Sequence, residues 1–314
     1  MNSSNPGNIN IVLACDDNYA RWMGMVILSA LQKAENPEQF CFFIIDGGIK
    51  DKNKEIIGSI VNKYAGTLLW VVPDNGNYND LPVKRYGLAA YYRLSLATLL
   101  PGSIDRVIYL DSDMLVAADL AELWRTSLSG AVIGAVENLG VPPKSLNLPQ
   151  NEYFNSGTLL IDLKQWREDD YESQLFSLFE KKGSELQFPD QDALNLIFEK
   201  QWKRLPLRWN IQPATWAKYE KKKITNSGYS YDDYEEAIKN PGVIHFLAKS
   251  KPWFYSTLHP YKSVYITLFN ESAWRYDIFS QVAIKEKFRK FFSVEKLIKN
   301  NKRKKYSAEV TFKN

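Results

Sequence analysis

Cysteine and histidine are scarce: the 314 residues hold two of each, Cys15 and Cys41, His245 and His259. No Cys-x-x-Cys and no Cys/His spacing occurs, which excludes a thiolate zinc site and a disulfide framework. Both cysteines fall in apolar, strand-like runs and read as reduced core thiols. No apolar run approaches the roughly 18 residues that a membrane-spanning helix needs. The opening MNSSNPGNIN lacks the basic start and hydrophobic centre of a secretory signal, so a cytoplasmic protein is expected. Also missing is any Gly-x-x-x-x-Gly-Lys-Ser/Thr or Gly-x-Gly-x-x-Gly after an apolar run, so no glycine-rich loop cradles phosphates. A bound nucleotide must then have its diphosphate charge offset by a metal and by cationic side chains.

What is present suits a packed globule, with 45% hydrophobic and 14% aromatic residues. The formal charge of +4 is unevenly spread, because residues 284–314 carry eleven Lys and Arg against three Asp and Glu. That leaves a net of −4 for everything before them. A slightly acidic body with a cationic tail is not the profile of a nucleic-acid-binding domain, and no nucleic-acid partner is expected.

Apolar, β-rich runs alternate with segments of helical period: INIVLAC then YARWMGMVILSALQKA, FCFFIID then DKNKEIIGSIVNKYA, GTLLWVV, YGLAAYYRLSLATLL, RVIYL. Further on, GAVIGAVE reads as a strand, EYFNSGTLLIDLKQW as a strand entering a helix, PDQDALNLIF as a helix and GVIHFL as a last strand. The alternation predicts an α/β fold, a largely parallel sheet with helices on both faces. The simplest division is one α/β domain over 1–255 and a C-terminal helical, basic appendage over 256–314.

Ligands of open parallel sheets collect at the carboxyl ends of the strands. Three polar positions follow apolar runs in that way: Asp16 to Asn18, Asp111 with Asp113, and His245. Asp111 and Asp113, two apart on an extended segment, present both carboxylates to one side while Ser112 faces the other. Their mutual repulsion is relieved by protonation, by a nearby Lys or Arg, or by a divalent cation. Hard oxygen ligands suit Mg²⁺ or Mn²⁺, and adding a histidine shifts the preference toward Mn²⁺. Asp-x-Asp is a short pattern, and it recurs as Asp190-Gln191-Asp192. The plain alternative for the first pair is a strand-to-helix turn with a capping aspartate, but Asp119 already stands where LAELW needs its cap. His259, in LHPYKS, has no such context and reads as structural.

Taken in order, IVLACDDNYA, AAYYRLSLATLLP with DRVIYLDSDMLV and LAELW, FNSGTLLIDLKQWR, FPDQDALN and HFLAKSKPW resemble glycosyltransferase family 8. The resemblance covers roughly residues 9–253, and five ordered motifs are far more specific than one Asp-x-Asp. It implies a GT-A nucleotide-sugar transferase fold and a UDP-sugar donor, UDP-galactose or UDP-glucose. It also implies Mn²⁺, with Mg²⁺ as the alternative, and transfer with retention of anomeric configuration to a saccharide such as lipopolysaccharide core or another lipid-linked glycan. Carried over by position, Ala14, Asp16 and Asn18 would hold uracil and ribose. Asp111, Asp113 and His245 would ligate the metal, with Ser112 between the aspartates in the donor-contacting set. Lys251 would neutralise the departing phosphate. Arg93, Asn155, Asp190 and Gln191 would surround the transferred sugar, with Gly157 in the same donor-contacting segment.

Gln191, placed nearest the anomeric carbon by the resemblance, is a poor nucleophile. Same-face attack is therefore expected, with Asp190 as the alternative nucleophile. Read without the family, Asn155 and Gly157 form a turn, Arg93 is a snorkelling surface arginine, Asp190 an N-terminal helix residue and Lys251 a loop charge. Two positions depart from the family pattern. Ala248 stands where glycine is usual, and the acidic position lining the sugar pocket corresponds to either Glu137 or Asn138. Two rival functions stay open: a metal-dependent sugar nucleotidyltransferase, which would want a glycine-rich signature near the first strand, and a catalytically silent UDP-sugar-binding protein.

In the tail, Ile284, Phe288, Phe291, Phe292 and Ile298 follow helical spacing while Lys287, Arg289 and Lys290 occupy other faces. Such a basic amphipathic helix suits the anionic inner face of a membrane, making the protein a peripheral partner of that surface. Acceptor contacts are expected from the variable stretches NYNDLPVKRYG and WAKYEKKKITNSGYSYDDYEE.

Overall fold

The computed structural model describes residues 7–78, 81, 87–222, 224–275 and 310–312. The tail helix expected over 284–298, and most of NYNDLPVKRYG, lie outside these residues. The first half runs β1 (Ile9–Cys15), α1 (Ala20–Lys33), β2 (Phe40–Asp46), α2 (Asp51–Lys63), β3 (Thr67–Val71), α3 (Leu96–Leu99), β4 (Arg106–Leu110), β5 (Met114–Val116), α4 (Leu120–Trp124) and β6 (Ile133–Glu137). The second half runs β7 (Phe154–Asp162), α5 (Leu163–Glu168), α6 (Tyr171–Lys182), α7 (Pro189–Ile197), β8 (Trp202–Arg204), α8 (Ala214–Glu220), α9 (Tyr231–Lys239), β9 (Val243–His245) and α10 (Lys262–Asn270).

Seven strands form one sheet in the order β3-β2-β1-β4-β7-β6-β8. Successive residues of the central strands feed two separate cores, as the period of two requires. Ile11, Leu13, Phe42, Ile44, Ile108 and Leu110 face one core. Val12, Ala14, Phe43, Ile45, Val107 and Tyr109 face the other. Burial on both faces explains why these strands are continuously apolar rather than alternating. The fold is α/β and mostly parallel, as expected, but β7 runs antiparallel to both β4 and β6. A buried strand looks the same in sequence whichever way it runs, so its direction was not legible.

Two further differences bear on the site. YGLAAYYRLSLATLL forms 3₁₀ turns at Leu88–Ala90 and Tyr92–Ser95 before the short α3, instead of one helix. The strand GVIHFL leaves the main sheet: β9 pairs antiparallel with β5 in a two-stranded sheet of its own. Asp119 caps α4, accepting from the Ala121 N–H at 2.9 Å. Cys15 and Cys41 are buried free thiols.

Apolar packing continues past residue 255. Tyr261, Tyr265, Leu268, Phe269 and Trp274 join the same core as α1, and Phe312 lies under Lys33 with 4.8 Å from Nζ to the ring centre. Trp22 of α1 stacks on Trp253 with centroids 4.2 Å apart. Trp274 is pinned by its Nε1–H bond to Asn53 Oδ1 at 3.0 Å. It lies against Gly24, where an added Cβ would meet ring atoms at 2.4 and 2.6 Å. Among the described residues no helix is long and apolar enough to cross a membrane.

Overpacking at a pinned tryptophan costs about 1–3 kcal/mol, against a helix-propensity gain of roughly 1 kcal/mol for Gly→Ala. Gly24→Ala is therefore expected to destabilise the protein despite improving the local helix, as read from urea unfolding. An unchanged or raised midpoint would contradict the close packing of Trp274 on α1.

Candidate active site

β1 and β4 are parallel neighbours, so the residues after them emerge at one edge of the sheet. Asp111 continues β4 by donating its N–H to Gly157 O at 2.8 Å. Ser112 turns the other way and donates its hydroxyl to Ala14 O at 3.1 Å. Because β7 is antiparallel, its first residues, Phe154 to Gly157, arrive at this same edge. The distant histidine is delivered by the small second sheet, in which Met114 pairs with His245. Phe246 N–H closes the join on Asp113 O at 3.0 Å.

The two aspartates divide their oxygens in the same manner. Asp111 Oδ1 takes the Arg93 guanidinium at 2.7 Å, and Asp113 Oδ2 takes the Lys251 ammonium. The remaining oxygens face the imidazole, with Asp113 Oδ1 3.1 Å and Asp111 Oδ2 3.7 Å from His245 Nε2. His245 is 1% exposed, yet its Nε2 has no hydrogen-bond partner among the described residues. Burial, helped by Arg93 and opposed by Asp111, holds its pKa down at about 4, so the ring is neutral at neutral pH. The imidazole nitrogen and the two carboxylate oxygens thus form a set of one nitrogen and two oxygen donors. The three ligand atoms lie within 4.8 Å of one another, and the nitrogen and oxygen donor set suits a divalent ion such as Mn²⁺ or Mg²⁺.

Arg93 is 5% exposed, not a snorkelling surface residue. It bridges Asp111 to Asp190, with Nε 3.3 Å from Asp190 Oδ2. It also donates to Ser156 O at 2.8 Å and Ala90 O at 3.1 Å, and packs over Tyr109. It stands in the 3₁₀ turn Tyr92–Ser95. Burial works against its charge, but Asp111 and then Asp190 prevail and raise its pKa. Asp190, near the start of α7, is buried too; burial raises its pKa, Asp111 adds to this and Arg93 opposes it.

Asn155 and Gly157 are strand residues of β7 rather than a turn. Gln191 Oε1 accepts from Asn155 Nδ2 at 3.0 Å and from Ser156 N–H at 3.1 Å, while its Nε2 donates to Tyr153 Oη at 2.7 Å. Lys251 is buried and follows Ala248, whose φ of +49° is a left-handed conformation that favours glycine. Asp16 and Asn18 lie outside the cluster, bonded to one another at 3.0 Å.

Asp111, Asp113, His245, Lys251, Arg93, Asp190, Gln191, Asn155 and Gly157 thus meet at one edge. Of the two candidates at the end of β6, the Glu137 carboxylate accepts from Gly228 N–H at 2.7 Å and Ser227 Oγ at 3.3 Å, whereas the Asn138 side chain donates to Gly140 O at 3.3 Å. Ser156, Tyr153, Asp192 and Asn210 are members that sequence reasoning missed. His259 packs edge-on against Trp216 and Phe246, as a structural residue would.

Comparison with known proteins gives the family and the fold. The model of glycosyl transferase family 8 matches residues 10–257, and the chain belongs to that family. General stress protein A of Bacillus subtilis is 33% identical over 273 residues, covering 85% of this chain and 94% of the relative. A lipopolysaccharide 1,2-glucosyltransferase of Escherichia coli is 28% identical over 278 residues, covering 85% and 79%. Among solved structures, the galactosyltransferase LgtC in complex with donor and acceptor sugar analogues superposes with a TM-score of 0.74 at 24% identity. That match covers 90% of this chain and all of LgtC, and it shows a common fold.

A Cβ at Gly157 would fall 2.3 Å from His245 Cε1 and 2.8 Å from its Nδ1. Gly157→Ala is therefore expected to push the imidazole aside and weaken Mn²⁺ binding about 10-fold or more, measured by isothermal titration on variant protein with unaltered circular dichroism. Unchanged affinity would mean that His245 is not a ligand.

Proposed function

We propose that this glycosyltransferase moves galactose or glucose from a UDP-sugar to a saccharide with retention of configuration, using a divalent cation, Mn²⁺ or Mg²⁺, at Asp111, Asp113 and His245. The observation that carries this reading is the buried His245 Nε2, without a hydrogen-bond partner among the described residues, facing one oxygen of each of two carboxylates whose other oxygens hold Arg93 and Lys251. When bound, the ion would supply positive charge to the donor's diphosphate as the bond to the sugar breaks.

The chain's own residues supply the rest. Arg93 and Lys251 balance Asp111 and Asp113, so a divalent ion would leave the edge net positive and suited to a diphosphate. Lys251 is placed to stabilise the leaving phosphate where its charge grows. Gln191 has its carbonyl committed to two N–H donors and its amide to Tyr153, so it orients the sugar rather than attacking it. Asp190 Oδ2 is held by Arg93 and receives the Ser156 hydroxyl at 3.4 Å. With Asp190 Oδ2 held by Arg93 and Ser156, same-face attack guided by the leaving phosphate is the favoured course, and a trapped glycosyl adduct on Asp190 would overturn it. Ala14, Asp16 and Asn18, at the end of β1, form the rim assigned to the nucleoside.

The lipopolysaccharide-directed relatives and the cationic tail support a lipid-linked glycan as acceptor at an anionic membrane surface. In this reading 1–255 is the catalytic unit and 256–314 the appendage.

Hydrolysis of UDP-galactose and UDP-glucose is expected to need Mn²⁺ or Mg²⁺. In Asp113→Asn it should fall by about 10²–10³-fold, on the scale of losing a main charge-stabilising group. Activity equal to wild type in that variant would remove the metal assignment; UDP binding without turnover in the wild type would favour a silent binding protein.

A further inference from the structure

Asn210 is fully buried and belongs to no motif in the sequence. It ends the 3₁₀ turn Leu207–Asn210. The next residue, Ile211, runs beside β9, taking the His245 N–H at 3.0 Å and giving its own N–H to Val243 O at 2.8 Å. That pairing sets the Asn210 amide against the imidazole, with Oδ1 3.1 Å from His245 Nδ1. From there a line of side-chain hydrogen bonds crosses the buried edge. Asn210 Nδ2 donates to Asn155 Oδ1 at 2.7 Å, and Asn155 Nδ2 to Gln191 Oε1 at 3.0 Å. Gln191 Nε2 donates to Tyr153 Oη at 2.7 Å, and Tyr153 donates to Asp192 Oδ1 at 2.5 Å. Asp192, 0% exposed, ends the line with Oδ2 accepting from Gln187 N–H and Phe188 N–H, both at 2.8 Å.

An amide chain of this kind can run in either direction, but here the backbone decides. Gly157 N–H points at Asn155 at 3.1 Å and Ser156 N–H at Gln191 at 3.1 Å, and each requires an oxygen. With its oxygen so placed, Asn155 presents an acceptor to Asn210. Asn210 must then present N–H to Asn155 and its oxygen to the imidazole. An oxygen only accepts, so Nδ1 carries a proton and Nε2 is the nitrogen left to face Asp111 and Asp113. The carboxylate of Asp192, which only accepts, fixes the same polarity from the far end.

We infer that Asn210 is a positioning residue: it fixes the His245 tautomer and ring orientation so that Nε2 is ready for a divalent cation before any donor binds. The inference rests on the metal reading above and goes beyond it, because it assigns how a ligand is prepared. Residues that hold the second nitrogen of a metal-binding histidine are commonly worth 10–100-fold in metal affinity.

The test uses the full chain, metal-free and then titrated with Mn²⁺. With only two histidines, a long-range ¹H–¹⁵N spectrum of the imidazoles resolves the tautomer directly. Wild-type His245 is expected as a single Nδ1–H form, and Asn210→Leu as a mixture in which Nε2–H appears. Electron paramagnetic resonance should show Mn²⁺ binding 10–100-fold weaker in Asn210→Leu. Asn210→Asp keeps an oxygen toward Nδ1 and should hold His245 as the Nδ1–H form, but its second oxygen meets Asn155 Oδ1 with no proton between them, so the affinity should recover only in part.

An Nε2–H form in wild type overturns the inference even if Asn210→Leu does not fold. So does a folded Asn210→Leu with unchanged tautomer and affinity. The Nδ1–H form in a wild-type protein that binds no Mn²⁺ overturns the metal reading while leaving the hydrogen-bond chain in place.

Discussion

Two carboxylates held side by side at the edge of a buried sheet repel each other, and the site is organised around that repulsion. Asp111 and Asp113 sit where β4 ends. Each gives one oxygen to a buried cation and leaves the other facing His245. Neither cation nor imidazole is near in sequence: Arg93 precedes the strand, and His245 and Lys251 follow it by more than a hundred residues. Buried charge is tolerated only when paired, and removing one partner of such a pair commonly costs about 3–5 kcal/mol. The charge pattern therefore constrains three remote segments to converge, and the fold must be of a kind that lets them.

A purely parallel sheet would bring only the loops after its strands to this edge. Two antiparallel pairings supply what is missing. Reversing β7 places Asn155, Ser156 and Gly157 beside the aspartates rather than at the opposite end. Pairing β9 with β5 does the same for His245, and the turn that follows returns Lys251 to Asp113. Gly157 belongs to this geometry through its missing side chain, since the imidazole occupies the space a Cβ would take. The departures from a regular doubly wound sheet fall at the residues that build the site.

That distribution explains what could be read from sequence. Strands buried on both faces are continuously apolar, so β1, β2 and β4 stood out, and the aspartates that close β4 stood out against them. His245 was visible because a polar residue ended an apolar run. Arg93 was visible only through the family motifs, because YYRLSLATLL read locally has helical spacing while the chain takes 3₁₀ turns there and buries the guanidinium. The direction of β7 left no mark, since a covered strand has no polar face to betray it. Tyr153, Asp192 and Asn210 are ordinary in composition, and their part comes from hydrogen bonds spanning about 40 to 55 residues. Only the ordered motifs of the family gave Asn155, Asp190, Gln191 and Lys251 a place; the local pattern alone favoured turn, cap and loop.

Ala248 shows how the same edge holds a conformation that local preference resists. An L-residue at φ +49° costs roughly 1–2 kcal/mol against the right-handed region, and glycine would avoid most of that. The turn is kept by Ser250 N–H on Leu247 O at 2.9 Å. Beyond it Trp253 stacks on Trp22, and Thr257 Oγ1 closes on Lys249 O at 3.0 Å. The loop is therefore held at both ends, by Phe246 N–H on Asp113 O where it leaves the strand and by the tryptophan stack beyond Lys251. Lys251 lies between the strained residue and the stacked ring, with its ammonium on Asp113. In the proposed mechanism Lys251 meets the leaving phosphate, and a cation in that role works best when its position is set beforehand, because no reorganisation is then needed as charge develops. The stack of α1 on the loop is thus part of the site's electrostatics, although neither tryptophan carries a charge.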